Sequence, residues 1–198
     1  CWSVKTRSCC SGVRQWLLGV WRIPLLQKEM PPEPQGLPLR HVLGALRPVS
    51  SRRMDVFERV DGVTVIDDSY NANPASMAAA LRTLVAVGEG RRTFAVLGSM
   101  AELGDFEEAG HEEVGRLAAE LGVDRVVAVG EQAAPIDRGA KAAKAAARWG
   151  GSAVLVTDQE AAVALLRAEL RPGDVVLVKG SRYRTWDVVD ALRPEARS

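Results

Sequence analysis

The sequence lacks two common loops that bind nucleotides. No Gly-Lys dipeptide occurs, so the chain cannot carry the part of an ATP site that a P-loop supplies. The fingerprint Gly-x-Gly-x-x-Gly is also missing, which disfavours conventional NAD binding. Only three cysteines occur, all within the first ten residues, and adjacent Cys9 and Cys10 have neither zinc-knuckle spacing nor partners elsewhere. We therefore expect neither a disulfide framework nor a metal site.

Strong net charge and long apolar runs are absent as well. Lys and Arg total 26 against 25 Asp and Glu, which excludes the global field that drives non-specific nucleic-acid binding. No stretch approaches the roughly 18 apolar residues that a membrane span requires, and the first residues do not form a secretory signal. With 47% hydrophobic residues and 26% charged residues, the composition is that of a globular protein. We expect a cytoplasmic protein that has no nucleic-acid partner and no membrane insertion.

The first 35 residues differ from the rest of the chain. They hold three of the five tryptophans and all the cysteines, they show no sustained hydrophobic period, and they end in a cluster of prolines. We predict a separate segment at 1–35, which is disordered or frame-shifted, a linker at 36–52, and a domain at 53–198.

Beyond the linker, strands and helices alternate. Asp61-Gly62 between two β-rich runs, 54–60 and 63–66, predicts an antiparallel hairpin. Further strands are predicted at 93–97, 125–129, 153–156 and 175–178, and helices at 39–46, 74–87, 106–121, 138–149, 159–170 and 186–192. The pattern predicts an α/β fold: a three-layer αβα, Rossmann-like domain whose sheet has about six mostly parallel strands and an antiparallel first strand.

Ligands of open α/β sheets bind beyond the carboxyl ends of the strands, so the loops that follow strands are the candidate sites. The turn after the second strand reads DDSYNANP at 67–74. Asn73 suits a helix N-cap, which gives it a structural explanation that competes evenly with a binding role. No such explanation covers Asp68, Tyr70 and Asn71, and we interpret these three as ligand-binding residues.

Two later loops are also candidates. The loop GSMAELG at 98–104 is flanked by glycines whose neighbouring amides can bind a ligand, although this pattern alone is weak. His111 follows it, and a histidine without a partner is more often a packing residue. Lys179-Gly180-Ser181-Arg182 follows the last strand, and its two cations suit a carboxylate or phosphate. An exposed basic loop without a ligand is the alternative.

Taken in order, these residues resemble the C-terminal domain of the Mur ligases, of the type that adds D-alanyl-D-alanine. The resemblance extends from about residue 36 to 192, and its most specific element is the string Tyr-Asn-Ala-Asn-Pro at 70–74. It also rests on Arg53-Met54, Ser76-Met77, VLGSM at 96–100, ELG at 102–104, His111 and VKGSR at 178–182. Ser99 departs from the family pattern, which usually has Asp at this position.

The resemblance implies a three-domain ligase of cytoplasmic peptidoglycan precursor synthesis, of which this chain holds the third domain. ATP phosphorylates the carboxylate of UDP-MurNAc-tripeptide, and the amine of D-alanyl-D-alanine attacks the acyl phosphate. ATP and Mg²⁺ would be bound mainly by a central P-loop domain that this chain lacks, so the chain alone is expected to be inactive.

The resemblance also implies roles for individual residues, none of which is catalytic. Arg53, Asp68, Tyr70 and Asn71 would bind the nucleotide, with Arg53 at the phosphates and Asp68 at the ribose. The substrate side would consist of Asn73, Lys179, Ser181 and Arg182, and Glu102 and His111 are further candidates.

Residues 1–35 do not resemble the end of a central ATPase domain, which suggests a truncated or frame-shifted gene product. Two other functions stay open. One is a free-standing module of Mur ligase ancestry that binds a nucleotide or peptide without catalysis. The other is a related amide ligase, such as a folylpolyglutamate or cyanophycin synthetase, which the Tyr-Asn-Ala-Asn-Pro string disfavours.

Overall fold

The computed structural model of the protein describes residues 52–146, 149–181 and 184–193. Several sequence predictions lie outside the described residues: the 1–35 segment, the 36–52 linker apart from Arg52, the helix at 39–46, and Arg182.

Within the described residues, the chain alternates between strands and helices. Two short 3₁₀ turns, Gly104–Phe106 and Glu131–Ala133, precede the second and third helices. The strands are β1 (Asp55–Glu58), β2 (Thr64–Asp68), β3 (Thr93–Leu97), β4 (Arg125–Val129), β5 (Ser152–Val156) and β6 (Val175–Lys179). The helices are α1 (Pro74–Gly88), α2 (Glu107–Glu120), α3 (Ala134–Ala145), α4 (Gln159–Glu169) and α5 (Trp186–Leu192).

The strands form one sheet in the order β1-β2-β6-β3-β4-β5. β1 and β2 pair antiparallel, and all the other neighbours are parallel. The hairpin turns at Gly62, whose φ of 81° lies in the left-handed region that glycine adopts without a steric penalty. The predicted sheet and its antiparallel first pair are confirmed.

The helices cover both faces of the sheet. Residues of α1, α2 and α3, such as Leu81, Val114 and Ile136, pack in one core cluster with Ile66 of β2. Residues of α4 and α5, such as Leu166, pack in a second cluster against the other face. Successive strand residues point to opposite faces, so each buried strand contributes to both clusters. The three-layer αβα architecture is therefore confirmed. No helix in the described ranges is long and apolar enough to cross a bilayer.

The predicted helix at 138–149 was placed four residues too late. α3 begins at Ala134, because Pro135 occupies a first-turn position where a missing N–H costs nothing. Trp149 is not helical. It is buried, and its indole N–H donates to the carbonyl of Val123 at 2.7 Å.

Candidate functional site

The order of strands places a ligand-binding crevice at the carboxyl end of β6. This strand lies between β2 and β3, and all three run parallel. The helices that follow β2 and β3 pack on one face, whereas α5, which follows β6, packs on the other. The loops after the three strands therefore separate at this point, the topological switch point where α/β proteins bind ligands.

An open groove of about 540 Å³ lies between these three loops. Its lining includes Asn71 and Asn73 from the loop after β2, Glu102 from the loop after β3, and Ser181 from the loop after β6. These four candidate residues, which come from three loops far apart in sequence, thus share one polar cleft.

Lys179 and Asp68 form an ion pair beside this groove. They are register partners at the ends of β6 and β2, and Lys179 Nζ lies 2.5 Å from Asp68 Oδ2. Lys179 Nζ also donates to the carbonyl of Asn71 at 2.9 Å. Lys179 is only 2% exposed, so its ammonium is directed at the protein and not at solvent.

The neighbouring carboxylate, Asp67, is fully buried and has a structural role. Its Oδ1 accepts from the backbone N–H and the hydroxyl of Ser69, and its Oδ2 lies 3.3 Å from the guanidinium of Arg193. Hydrogen bonding to Asp55, together with the smaller contribution of Asp67, raises the pKa of Arg193. The strand alternation thus separates two adjacent acids: Asp67 is buried and stabilises the fold, whereas Asp68 pairs with Lys179.

The segment that leads into β1 carries Arg53 beside Tyr70. The Arg53 guanidinium lies 4.2 Å from the centroid of the Tyr70 ring, in cation–π geometry. Both side chains are exposed. Two backbone hydrogen bonds hold this segment: Tyr70 N–H donates to Arg52 O at 3.0 Å, and Met54 N–H donates to Asp68 Oδ1 at 3.2 Å.

Sequence reasoning missed the anchor on the other side of this segment. Arg52 makes two hydrogen bonds to the Asp190 carboxylate, at 3.0 and 3.2 Å, and its guanidinium lies 5.9 Å from the Trp186 ring centroid. No local pattern could reveal this contact, because 138 residues separate Arg52 from Asp190.

Asn73 caps α1. Its side-chain oxygen accepts from Ser76 N–H at 2.8 Å, and Ser76 Oγ accepts from Asn73 N–H at 3.0 Å, which completes a capping box. Asn73 also lines the groove, so its structural role and its predicted binding role coexist.

Ser181 joins the loops after β3 and β6. Its backbone N–H and its hydroxyl both donate to Ser99 O at 3.1 Å, and the same hydroxyl accepts from Ala101 N–H at 2.8 Å. The Ser99 hydroxyl itself is buried and has no hydrogen-bond partner among the described residues. Ser181 therefore fixes the shape of the groove as well as contributing to its lining.

His111 lies in the interior and not in the groove. It is fully buried, and its Nε2 accepts from Met100 N–H at 2.8 Å. Since Nε2 must be unprotonated to accept, the ring proton is on Nδ1, which donates to Glu107 O at 2.5 Å. In this arrangement His111 supports the loop after β3.

A family comparison identifies the domain. The family model described as Mur ligase, glutamate ligase domain, matches residues 52–182, which is most of the described chain. The chain belongs to the Mur ligase family. The resemblance stated from the sequence is thereby confirmed.

Several relatives of the D-alanyl-D-alanine type are similar to this chain in sequence. The UDP-N-acetylmuramoyl-tripeptide–D-alanyl-D-alanine ligase of Mycobacterium tuberculosis is 50% identical over 165 residues, 76% of this chain and 32% of the relative. The Escherichia coli ligase of the same name is 37% identical over 154 residues, 76% of this chain and 31% of the relative. This Mur ligase chain therefore spans about a third of the length of the curated relatives that it matches.

Solved Mur ligase structures match the same region. The MurF ligase of Thermotoga maritima, in complex with ADP, is 29% identical with a TM-score of 0.58, covering 74% of this chain and 31% of that one. A MurF structure from Acinetobacter baumannii is also 29% identical, with a TM-score of 0.61, covering 72% of this chain and 30% of that one.

Proposed function

We propose that this chain supplies the C-terminal domain of an ATP-dependent ligase that joins D-alanyl-D-alanine to UDP-MurNAc-tripeptide in the cytoplasm. In the first step, a carboxylate oxygen of the tripeptide attacks the γ-phosphorus of ATP, which yields an acyl phosphate and ADP. In the second, the dipeptide amine attacks the acyl carbon, loses a proton, and expels inorganic phosphate. The observation that carries this proposal is the groove at the switch point, which residues of the loops after β2, β3 and β6 line together.

We assign the nucleotide side to Arg53, Asp68, Tyr70 and Asn71, of which Asn71 lines the groove. Arg53 presents a planar guanidinium that suits phosphate oxygens. Asp68 accepts two hydrogen bonds within the chain, from Met54 N–H and Lys179 Nζ, and a carboxylate has about four acceptor positions. Asp68 thus retains capacity for a ribose hydroxyl, and Tyr70 and Asn71 would contact the nucleotide.

The dipeptide side comprises Asn73, Ser181 and Arg182. Asn73 and Ser181 line the groove with polar groups. Arg182 directly follows Ser181 and would pair with the carboxylate of the dipeptide. Lys179 was predicted to act here too, but its ammonium is buried and paired with Asp68, which supports a positioning role instead.

The domain contributes positioning rather than an acid, a base or a nucleophile. Closing it over the central domain would raise the effective concentration of the amine and exclude water from the acyl phosphate. Among the described residues, no group of three or more His, Cys, Asp or Glu side chains could hold a metal ion. No step of the proposal uses a metal bound to this part of the chain.

Phosphate release that depends on both ATP and D-alanyl-D-alanine tests the proposal. We expect none from this chain alone, and release above background when the separately made N-terminal and central domains of the Mycobacterium tuberculosis relative are added with UDP-MurNAc-tripeptide. Release by the chain alone would contradict the proposal. Nucleotide binding without release in any mixture would favour the non-catalytic module.

A further inference from the structure

We infer that Lys179 is a positioning residue that acts through Asp68 to hold Arg53 against Tyr70. The inference rests on the proposed function only in assigning Arg53 to the nucleotide phosphates. Lys179 was predicted to bind the dipeptide; here it instead holds the residues that are assigned to the nucleotide.

The first step is the location of the Lys179 ammonium. Register pairing of Lys179 with Asp68 places both side chains on the same face at the end of adjacent strands. The Lys179 side chain is 3% exposed and the Asp68 side chain 14%. The Lys179 ammonium donates to the Asp68 carboxylate and to the carbonyl of Asn71, so two of its three protons already form hydrogen bonds within the chain.

The second step is the backbone around Arg53. Arg52 and Met54 have φ values of 64° and 51°, in the left-handed region that residues other than glycine rarely adopt. Such a conformation persists only where the surroundings hold it. Here it is held by Asp68, which accepts from Met54 N–H, by Tyr70 N–H, which donates to Arg52 O, and by the pairing of Arg52 with Asp190.

The third step links the ion pair to the cation–π contact. Without the Lys179 ammonium, the carboxylate of Asp68 would be a largely buried charge without its cationic partner, and it would turn toward water. Met54 N–H would then lose its acceptor and the left-handed backbone would relax. Arg53 lies between the two strained residues, so its guanidinium would leave the face of Tyr70.

Nuclear magnetic resonance of the full 198-residue chain tests this inference without any measurement of activity. The Tyr70 ring shifts the side-chain protons of Arg53 upfield when the guanidinium lies over it. Tyr70→Leu gives the positions without this ring, and the wild type gives the positions with it. In Lys179→Met we expect the Arg53 signals to move to the Tyr70→Leu positions.

Lys141→Met is the matched control, because Lys141 Nζ pairs with Asp137 at 2.7 Å on α3, away from the groove. We expect it to keep the wild-type Arg53 shifts. If Lys179→Met does not fold, the double variant Lys179→Met/Asp68→Leu is measured in its place. It removes both charges of the ion pair together and leaves Met54 N–H without its acceptor. Loss of the upfield shift in folded Lys179→Met supports the inference, and its loss in the double variant supports the step from Asp68 to Arg53.

Wild-type Arg53 shifts in folded Lys179→Met or in the folded double variant would overturn the inference. Loss of the shift in Lys141→Met to the same extent would also overturn it, because the effect would then be a general loss of stability. Failure of the proposed function would leave these shifts unchanged, so the two failures are distinguishable.

Discussion

Gly98 and Gly180 approach each other where the loops after β3 and β6 pass side by side. A Cβ atom on Gly180 would lie 3.0 Å from Gly98 Cα and 2.4 Å from Thr185 Oγ1. At the shorter distance the Thr185 side chain would have to move, and the contact with Gly98 Cα would be tighter than most Cβ contacts, so the absence of a side chain on Gly180 favours the close approach of the two loops. This approach brings Ser181 within reach of Ser99 and thereby shapes the groove.

Gly180→Ala is expected to destabilise the domain by about 2 kcal/mol, because the added methyl group overpacks the contact between the loops. Gly150→Ala is the control, since a Cβ there meets nothing within 4 Å and should change stability by less than about 0.5 kcal/mol. Urea unfolding followed by circular dichroism measures both free energies. Equal stability of the two variants would show that the loops can separate without cost.

His111→Leu is expected to lower the free energy of unfolding by about 1–3 kcal/mol, because the buried N–H of Met100 loses its acceptor. Glu113→Gln, at an exposed position on the same helix, should have little effect. The same unfolding measurement compares them. A His111→Leu variant as stable as Glu113→Gln would mean that Met100 N–H finds another acceptor.

The carboxylate of Asp158 at the start of α4 is expected to make the stability of the domain depend on pH. The backbone N–H of Ala161, and secondarily the Thr157 hydroxyl, donate to its carboxylate and lower its pKa below the ordinary 3.8. A lowered pKa in the folded state contributes stability above pH 3.8 that is lost as the pH falls through the folded value. The melting temperature of wild type should exceed that of Asp158→Asn at pH 7. This difference should disappear once the pH falls below the pKa of Asp158 in the folded state. A difference that grows on acidification would refute this assignment.

Arg53→Ala is expected to lower kcat/KM for ATP by about 100-fold in the reconstituted ligase, since a guanidinium that binds the nucleotide phosphates is lost. Arg82→Ala, at an exposed arginine of α1, is the matched control and should retain wild-type kinetics. Both variants should fold normally because both side chains are exposed. Wild-type kinetics for Arg53→Ala would remove Arg53 from the nucleotide site.

Local patterns determined most of the fold. β3, β4 and α5 begin and end at the predicted residues, because apolar runs and helical spacing mark them directly. The hairpin followed from Asp61-Gly62. The predicted bounds of α3 were wrong at both ends, because Pro135 lies in its first turn and Trp149 packs beyond its last residue.

The sequence was sufficient to predict which loops form the candidate site, but not which side chains contact one another there. Because ligands of α/β sheets bind beyond the carboxyl ends of the strands, Asp68, Asn71 and Ser181 were predicted to lie at one edge of the sheet. The burial of Lys179 was not predictable, because a lysine at the end of a strand is expected to be exposed unless a buried partner such as Asp68 is known. The left-handed backbone at Met54 has no sequence signal either, since methionine rarely adopts it.

The role of the groove in amide formation is tested most directly by the mass of the product. A chimaera is made in which residues 52–198 of this chain follow the N-terminal and central domains of the Mycobacterium tuberculosis relative. Given ATP, Mg²⁺, UDP-MurNAc-tripeptide and D-alanyl-D-alanine, it should yield UDP-MurNAc-pentapeptide, and the same two domains without residues 52–198 should yield none. Pentapeptide formed equally well without these residues, or a folded chimaera that forms none, would contradict the proposed function.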